Sequence, residues 1–114
     1  IVTTPQEASV GIVRKGVAMF QKLNVPILGI VENMSYFTAP DGQRIEIFGN
    51  GGGRREAARL NAPFLGEVPL AMPIRETSDS GRPIVASDPD SAHAKADLAI
   101  ARQVMASMAG GAAK

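Results

Sequence analysis

Apolar residues recur at helical spacing in the first part of the chain. Val10, Val13, Val17 and Phe20 form one stripe, and Arg14, Lys15, Gln21 and Lys22 lie largely outside it. The pattern predicts a helix reaching about Leu23, with Thr4 as N-cap, Pro5 in the first helical position and Glu7 closing a capping box. Gly11 and Gly16 each weaken a helix interior by about 1 kcal/mol relative to alanine, which points to close packing against a sheet. Asn24-Val25-Pro26 ends the helix. Ile27-Leu28-Gly29-Ile30-Val31 is then a nearly unbroken apolar run, the pattern of a strand covered on both faces. Ile1-Val2-Thr3-Thr4 reads like the end of another buried strand, so strand, helix and strand make a βαβ crossover. The opening on Ile1 instead of methionine suggests a fragment.

Further along, Tyr36 to Phe48 holds two short strand-like pieces around the turn Pro40-Asp41-Gly42, an excursion hairpin on the rim of the sheet. The run Gly49-Asn50-Gly51-Gly52-Gly53 reads as a flexible hinge before a short helix from Arg54 to Leu60, with Arg54 and Arg55 as solvated charges. A strand is expected over Phe64 to Val68, and a helix from Met72-Pro73 to near Ser80-Gly81. An extended piece follows from Pro83 to Ser87. The last helix runs from the Asp88-Pro89-Asp90-Ser91 cap region to about Met108, with Ala94, Leu98, Ala101, Met105 and Met108 as its buried stripe. The expected fold class is α/β: part of an open parallel sheet with flanking helices. Residues 1–109 belong to a single domain and 110–114 form a flexible tail.

Composition narrows the function. Twelve Lys and Arg against eleven Asp and Glu leave a formal net charge of +1, too little to hold phosphate backbones, so nucleic acid is not expected as a partner. No apolar run approaches the roughly 20 residues of a membrane span, and no basic-then-apolar leader opens the chain. Membrane partners are not expected, and the cytoplasm is the default location. There is no cysteine, hence no disulfide framework.

In an open parallel sheet, ligands sit beyond the carboxyl ends of the strands. Here those loops are Thr3 to Gln6, Glu32 to Ser35 and Pro69 to Ile74. Asn33 offers a donor and an acceptor side by side, the pair that meets an adenine N6 and N7 edge. It equally suits an asparagine that bonds its own loop backbone. Val68-Pro69-Leu70 with Pro73 is a rigid apolar turn, either a wall for a flat purine ring or a plain strand-to-helix connection. The glycine run lacks the Gly-Lys-Ser/Thr ending of a Walker A loop, since Arg54-Arg55 stands there. His93, the single histidine, is expected at the surface, and no set of residues reads as catalytic or metal-binding.

Five blocks taken in order point further: Thr3-Thr4-Pro5-Gln6; Ile30-Val31-Glu32-Asn33-Met34-Ser35-Tyr36-Phe37; Ile47-Phe48-Gly49 with the glycine run; Pro63-Phe64-Leu65-Gly66-Glu67-Val68-Pro69-Leu70; and Asp79-Ser80-Gly81-Arg82-Pro83-Ile84-Val85. Together they resemble the carboxyl-terminal half of the Mrp/NBP35 (ApbC) family of P-loop ATPases, which are iron-sulfur cluster carriers. The resemblance runs from Ile1 to about Arg102. It implies a MinD-like P-loop NTPase fold with an inserted β-hairpin, a homodimer, and ATP with Mg bound through a Walker A loop upstream of Ile1. It also implies hydrolysis coupled to loading or releasing a 4Fe-4S cluster, with iron-sulfur recipient proteins as partners. By the same resemblance, Asn33 reads the adenine base and Pro69 and Leu70 pack against its ring. One departure stands out. The family commonly places a Cys-x-x-Cys pair just after the Tyr-Phe, and Ala39 and Gly42 occupy those positions here, with no soft ligand for iron. A nucleotide-switched dimeric interaction protein of the MinD/ParA-like class, without a cluster, is therefore the alternative. On either reading the chain by itself, without a Walker A loop, is expected to be inactive toward ATP.

Overall fold

The computed structural model describes residues 1–109. In chain order the elements are β1 (Val2–Thr3), α1 (Glu7–Lys22), β2 (Ile30–Glu32), β3 (Phe37–Thr38), β4 (Arg44–Ile45), α2 (Gly52–Leu60), β5 (Phe64–Glu67), α3 (Met72–Asp79), α4 (Ile84–Ser87) and α5 (Ala92–Ala109). Strands β1, β2 and β5 form a parallel sheet in that order, and β3 and β4 form a separate antiparallel hairpin. The expected crossovers and excursion hairpin are both present. The tail expected over 110–114 lies outside the described residues.

Helix α1 buries Val10 and Val17 and half-buries Val13 and Phe20, as its periodicity predicts. Its start differs from the expectation. Gln6, not Thr4, is the N-cap, and no side chain caps the first turn. The Thr4 hydroxyl instead donates to Ser9 Oγ at 2.6 Å. Pro5 is buried with its carbonyl against Gly52, so it belongs to the junction with α2 and not to the first turn of α1. Close packing does not explain Gly11 and Gly16 either, because a Cβ on either glycine would meet nothing within 4 Å.

The apolar run after α1 pairs only from Ile30, three residues later than its composition suggests. Gly29 lies so close to Leu65 that a Cβ there would come within 2.6 Å of the leucine side chain. Ladder pairing begins at Ile30, whose N–H donates to the Pro63 carbonyl at 2.9 Å. The β2–β5 register then shifts at Ile30/Val31, a bulge in the ladder.

The carboxyl-terminal third brings two further corrections. Pro83 to Ser87 is not extended: the Pro83 carbonyl accepts from both Ala86 and Ser87 N–H at 2.9 Å, and the resulting turn of α4 buries Ile84 among its neighbours. In α5, Ala94 is fully buried and Leu98 half-buried, but Ala101 is exposed, and Met105 and Met108 are 68% and 65% exposed. The helix leans on β5 through Ile100 and through Gln103, whose Nε2 donates to the Leu65 carbonyl at 2.6 Å.

Candidate functional site at the carboxyl edge of the sheet

Because all three sheet strands are parallel, their carboxyl ends open on one edge, and the loops after Thr3, Glu32 and Glu67 emerge there together. Backbone bonds tie these loops to one another. Asn33 N–H donates to the Thr3 carbonyl at 2.6 Å, Ser35 N–H to Val68 at 3.0 Å, and Leu70 N–H to Tyr36 at 2.7 Å.

Behind the loops lies a polar chain. The alternation of β2 turns Ile30 and Glu32 inward, and Glu32 is 1% exposed. A carboxylate taken out of water this far needs hydrogen-bond partners to be tolerated. Glu32 has two: the Gly53 N–H donates to its Oε1 at 2.8 Å, and the Ser35 hydroxyl donates to its Oε2 at 2.5 Å. Glu67 Oε2 lies against the same hydroxyl oxygen, so the two carboxylates share its single hydrogen. Arg44 of the hairpin donates from Nη2 to Glu67 Oε2 at 2.9 Å and rests on the Tyr36 ring at 3.9 Å from its centroid. The cation offsets the repulsion between two carboxylates that share one hydroxyl.

This chain overturns the hinge expected at the glycine run. Gly52 and Gly53 are buried at the start of α2, and a Cβ on Gly52 would lie 2.4 Å from the Pro5 carbonyl oxygen. Glu32 takes a first-turn amide that a phosphate loop would offer to an anion. Arg54 is exposed, as expected, and its guanidinium lies 4.3 Å over the Phe64 ring. Arg55 remains exposed.

Asn33 is half-buried, and its Oδ1 accepts the Met34 N–H at 3.0 Å. The bond is the local loop contact expected of such an asparagine. It uses one of two lone pairs on the oxygen and leaves the amide hydrogens uninvolved. The side chain lines an open cleft of about 340 Å³ beside Thr3, Ser9 and Ile12. Pro69 and Leu70 line another of about 190 Å³, with Phe37, Thr38, Pro73 and His93. Asn33 is not part of that second cleft. His93, expected on the open surface, is half-buried in its wall. Burial raises the pKa of nearby Asp97 above the usual carboxylate value, and the positive charge of His93 pulls the other way.

Glu32, Ser35, Glu67 and Arg44 were not predictable as a unit. The available signal was a glutamate at an inward position closing an apolar strand. Among the described residues no group of His, Cys, Asp and Glu is arranged to hold a metal, and the hairpin turn at Ala39 and Gly42 presents no thiolate. No helix of the described residues is long and apolar enough to cross a membrane.

Comparison with known proteins agrees with this architecture. An iron-sulfur cluster carrier protein from Synechocystis is 53% identical over 106 residues, covering 91% of this chain and 30% of that protein. The iron-sulfur cluster transfer protein NUBPL of Dictyostelium discoideum is 48% identical over 106 residues, covering 92% of this chain and 33% of its own length. The chain thus spans about a third of these relatives. Among solved structures, an Archaeoglobus fulgidus nucleotide-binding protein in complex with ADP superposes with a TM-score of 0.59 at 38% identity, over 69% of this chain and 33% of that one. The Pyrococcus furiosus cell division ATPase MinD shares the fold at a TM-score of 0.68 and 24% identity, over 90% of this chain and 40% of that one. Residues 1–105 match the family model of the NUBPL iron-transfer P-loop NTPases within the ParA group, and the chain belongs to that family.

Proposed function

We propose that this chain is the carboxyl-terminal part of a cytoplasmic, homodimeric ATPase that carries iron-sulfur clusters to recipient proteins. The observation that carries the reading is the family match over residues 1–105, on a chain whose Asn33 loop and Pro69 turn emerge at the same edge of a parallel sheet. The names of the relatives supply the cargo, and the ADP complex of the Archaeoglobus protein supports an adenine nucleotide as ligand.

In this reading Asn33 faces the base. Its free amide hydrogens donate to adenine N7, and the second lone pair of Oδ1 accepts from N6. Pro69 and Leu70 offer an apolar wall to the ring. Phosphoryl transfer depends on positive charge placed around the phosphates, and the glycine run here ends in Arg54-Arg55 instead of the Gly-Lys-Ser/Thr of a Walker A loop. A lysine-bearing loop and the residues that hold Mg²⁺ would have to come from sequence outside this chain. ATP turnover by the full-length protein and by this chain alone tests the assignment: activity is expected only from the former, and turnover by the chain alone would overturn it.

The hairpin favours a second reading. With Ala39 and Gly42 at its turn, it has no soft donor for iron, so a cluster would have to find its ligands elsewhere in the protein. The competing assignment is a nucleotide-switched interaction protein without cargo. Iron and acid-labile sulfide, measured per chain after anaerobic reconstitution of the full-length protein, separate the two: stoichiometric cluster supports the carrier, and none, with ATPase activity intact, supports the switch.

A further inference from the structure

We propose that Ser35 and Glu67 are positioning residues for base recognition, locking the Asn33 loop to the Pro69 turn through the shared hydroxyl. The inference rests on the reading of Asn33 as the adenine contact and adds to it a reason why that contact has a defined geometry.

The two loops come from different strands; backbone bonds join them at Ser35–Val68 and Tyr36–Leu70, and the Ser35 and Glu67 side chains add a further link. Asn33 lies between Glu32 and Ser35 in sequence, and both of those side chains are held in the buried chain. Glu32 is fastened to α2 through Gly53 N–H at 2.8 Å, and Ser35 is fastened to Glu32 at 2.5 Å and to Glu67. Glu67 is the last residue of β5 and stands two positions before Pro69. Ser35 N–H also donates to the Val68 carbonyl at 3.0 Å, so the serine grips the Pro69 turn with backbone and side chain together. Every buried side-chain nitrogen and oxygen among the described residues has a partner, so removing the hydroxyl leaves two carboxylates facing one another unbridged. Arg44 anchors the hairpin to the same carboxylate, at 2.9 Å from Glu67 Oε2. The base-reading loop, the ring-packing turn and the hairpin therefore share a single junction.

Base selectivity exposes such a role where a stability measurement would not. Adenine presents a donor and an acceptor to a carboxamide, whereas guanine presents O6 and N7, both acceptors. A correctly aimed Asn33 favours ATP over GTP, and a loosely held one does not. The experiment measures ATP and GTP dissociation constants on the full-length protein for the natural sequence and for Asn33→Ala, Ser35→Ala, Glu67→Ala and Glu67→Gln. Asn33→Ala is expected to remove the preference. Ser35→Ala and Glu67→Ala are expected to reduce it by about tenfold while unfolding remains cooperative. Glu67→Gln keeps an acceptor for the serine and is expected to retain most of the preference. If Asn33→Ala removes the preference but Ser35→Ala and Glu67→Ala keep it, the positioning role is wrong and base reading stands. If Asn33→Ala itself leaves the preference unchanged, the base reading falls and the positioning role with it. Should Ser35→Ala fail to fold, the two Glu67 variants decide the question.

Discussion

Gly16 and Gly52 sit in helices of the same molecule and carry opposite predictions. Nothing lies within 4 Å of a Cβ built on Gly16, so Gly16→Ala is expected to stabilise the fold by about 1 kcal/mol through helix propensity alone. On Gly52 the same methyl would press on the Pro5 carbonyl, and Gly52→Ala is expected to cost about 1–3 kcal/mol. Urea unfolding of both variants checks the pair. Asp97 makes a prediction about pH. Burial raises its folded-state pKa, so the native state holds the proton more tightly than the unfolded chain does. The contribution to stability is fully present below the unfolded value of about 3.9 and is lost as pH rises through the raised value. Asp97→Asn should therefore raise the melting temperature at pH 7, and the gain should vanish in strongly acidic solution. A gain equal at both pH values would refute the assignment.

At the scale of elements, α1 and α2 are joined by a buried charge. Glu56 is 1% exposed and accepts from Arg14 Nε of α1 at 2.9 Å and from Arg59 Nε of its own helix at 2.6 Å. The hydrogen bond from Arg59 is the main cause that lowers the Glu56 pKa; burial opposes it, and Arg14 adds to the lowering. A depressed carboxylate stabilises the fold above its unfolded pKa, and that stabilisation disappears as pH falls through the folded value, below the ordinary range near 4. Glu56→Gln is expected to cost about 2 kcal/mol at neutral pH and to flatten the acid limb of the stability curve. Acid titration followed by circular dichroism reads both effects. The α1 stripe was legible because Val10 and Val17 are buried two turns apart, as a 3.6-residue period requires. The α5 stripe was not, because in an alanine-rich helix several faces look equally apolar. The choice fell to Ile100 and Gln103, which meet β5 and leave Met105 and Met108 outside.

For the whole molecule, the sheet has three strands, and among the described residues nothing pairs with the outer side of β1. Val2 is 62% exposed and Ile12, on the helix beside it, 71%. An open apolar edge of this kind invites another strand. Purified on its own, the chain is expected to self-associate in a concentration-dependent manner, and Val2→Lys should suppress this. Light scattering over a dilution series would show it, and a strictly monomeric chain at high concentration would count against it. The α/β class, the crossovers, the excursion hairpin and the three loops sharing one edge of the sheet followed from the sequence. Hydrophobic period, turn residues and the parallel-strand rule are local or topological properties that a linear string carries. Where Pro5 packs, how closely Gly52 and Gly53 approach their neighbours, and the meeting of Glu32, Ser35, Glu67 and Arg44 were decided only in three dimensions. Those four residues come from three segments, and only Glu32, closing an apolar strand, stands out in its own neighbourhood. A buried carboxylate is recognised by the partners that burial forces on it, and partners distant in sequence exist only once the chain has folded.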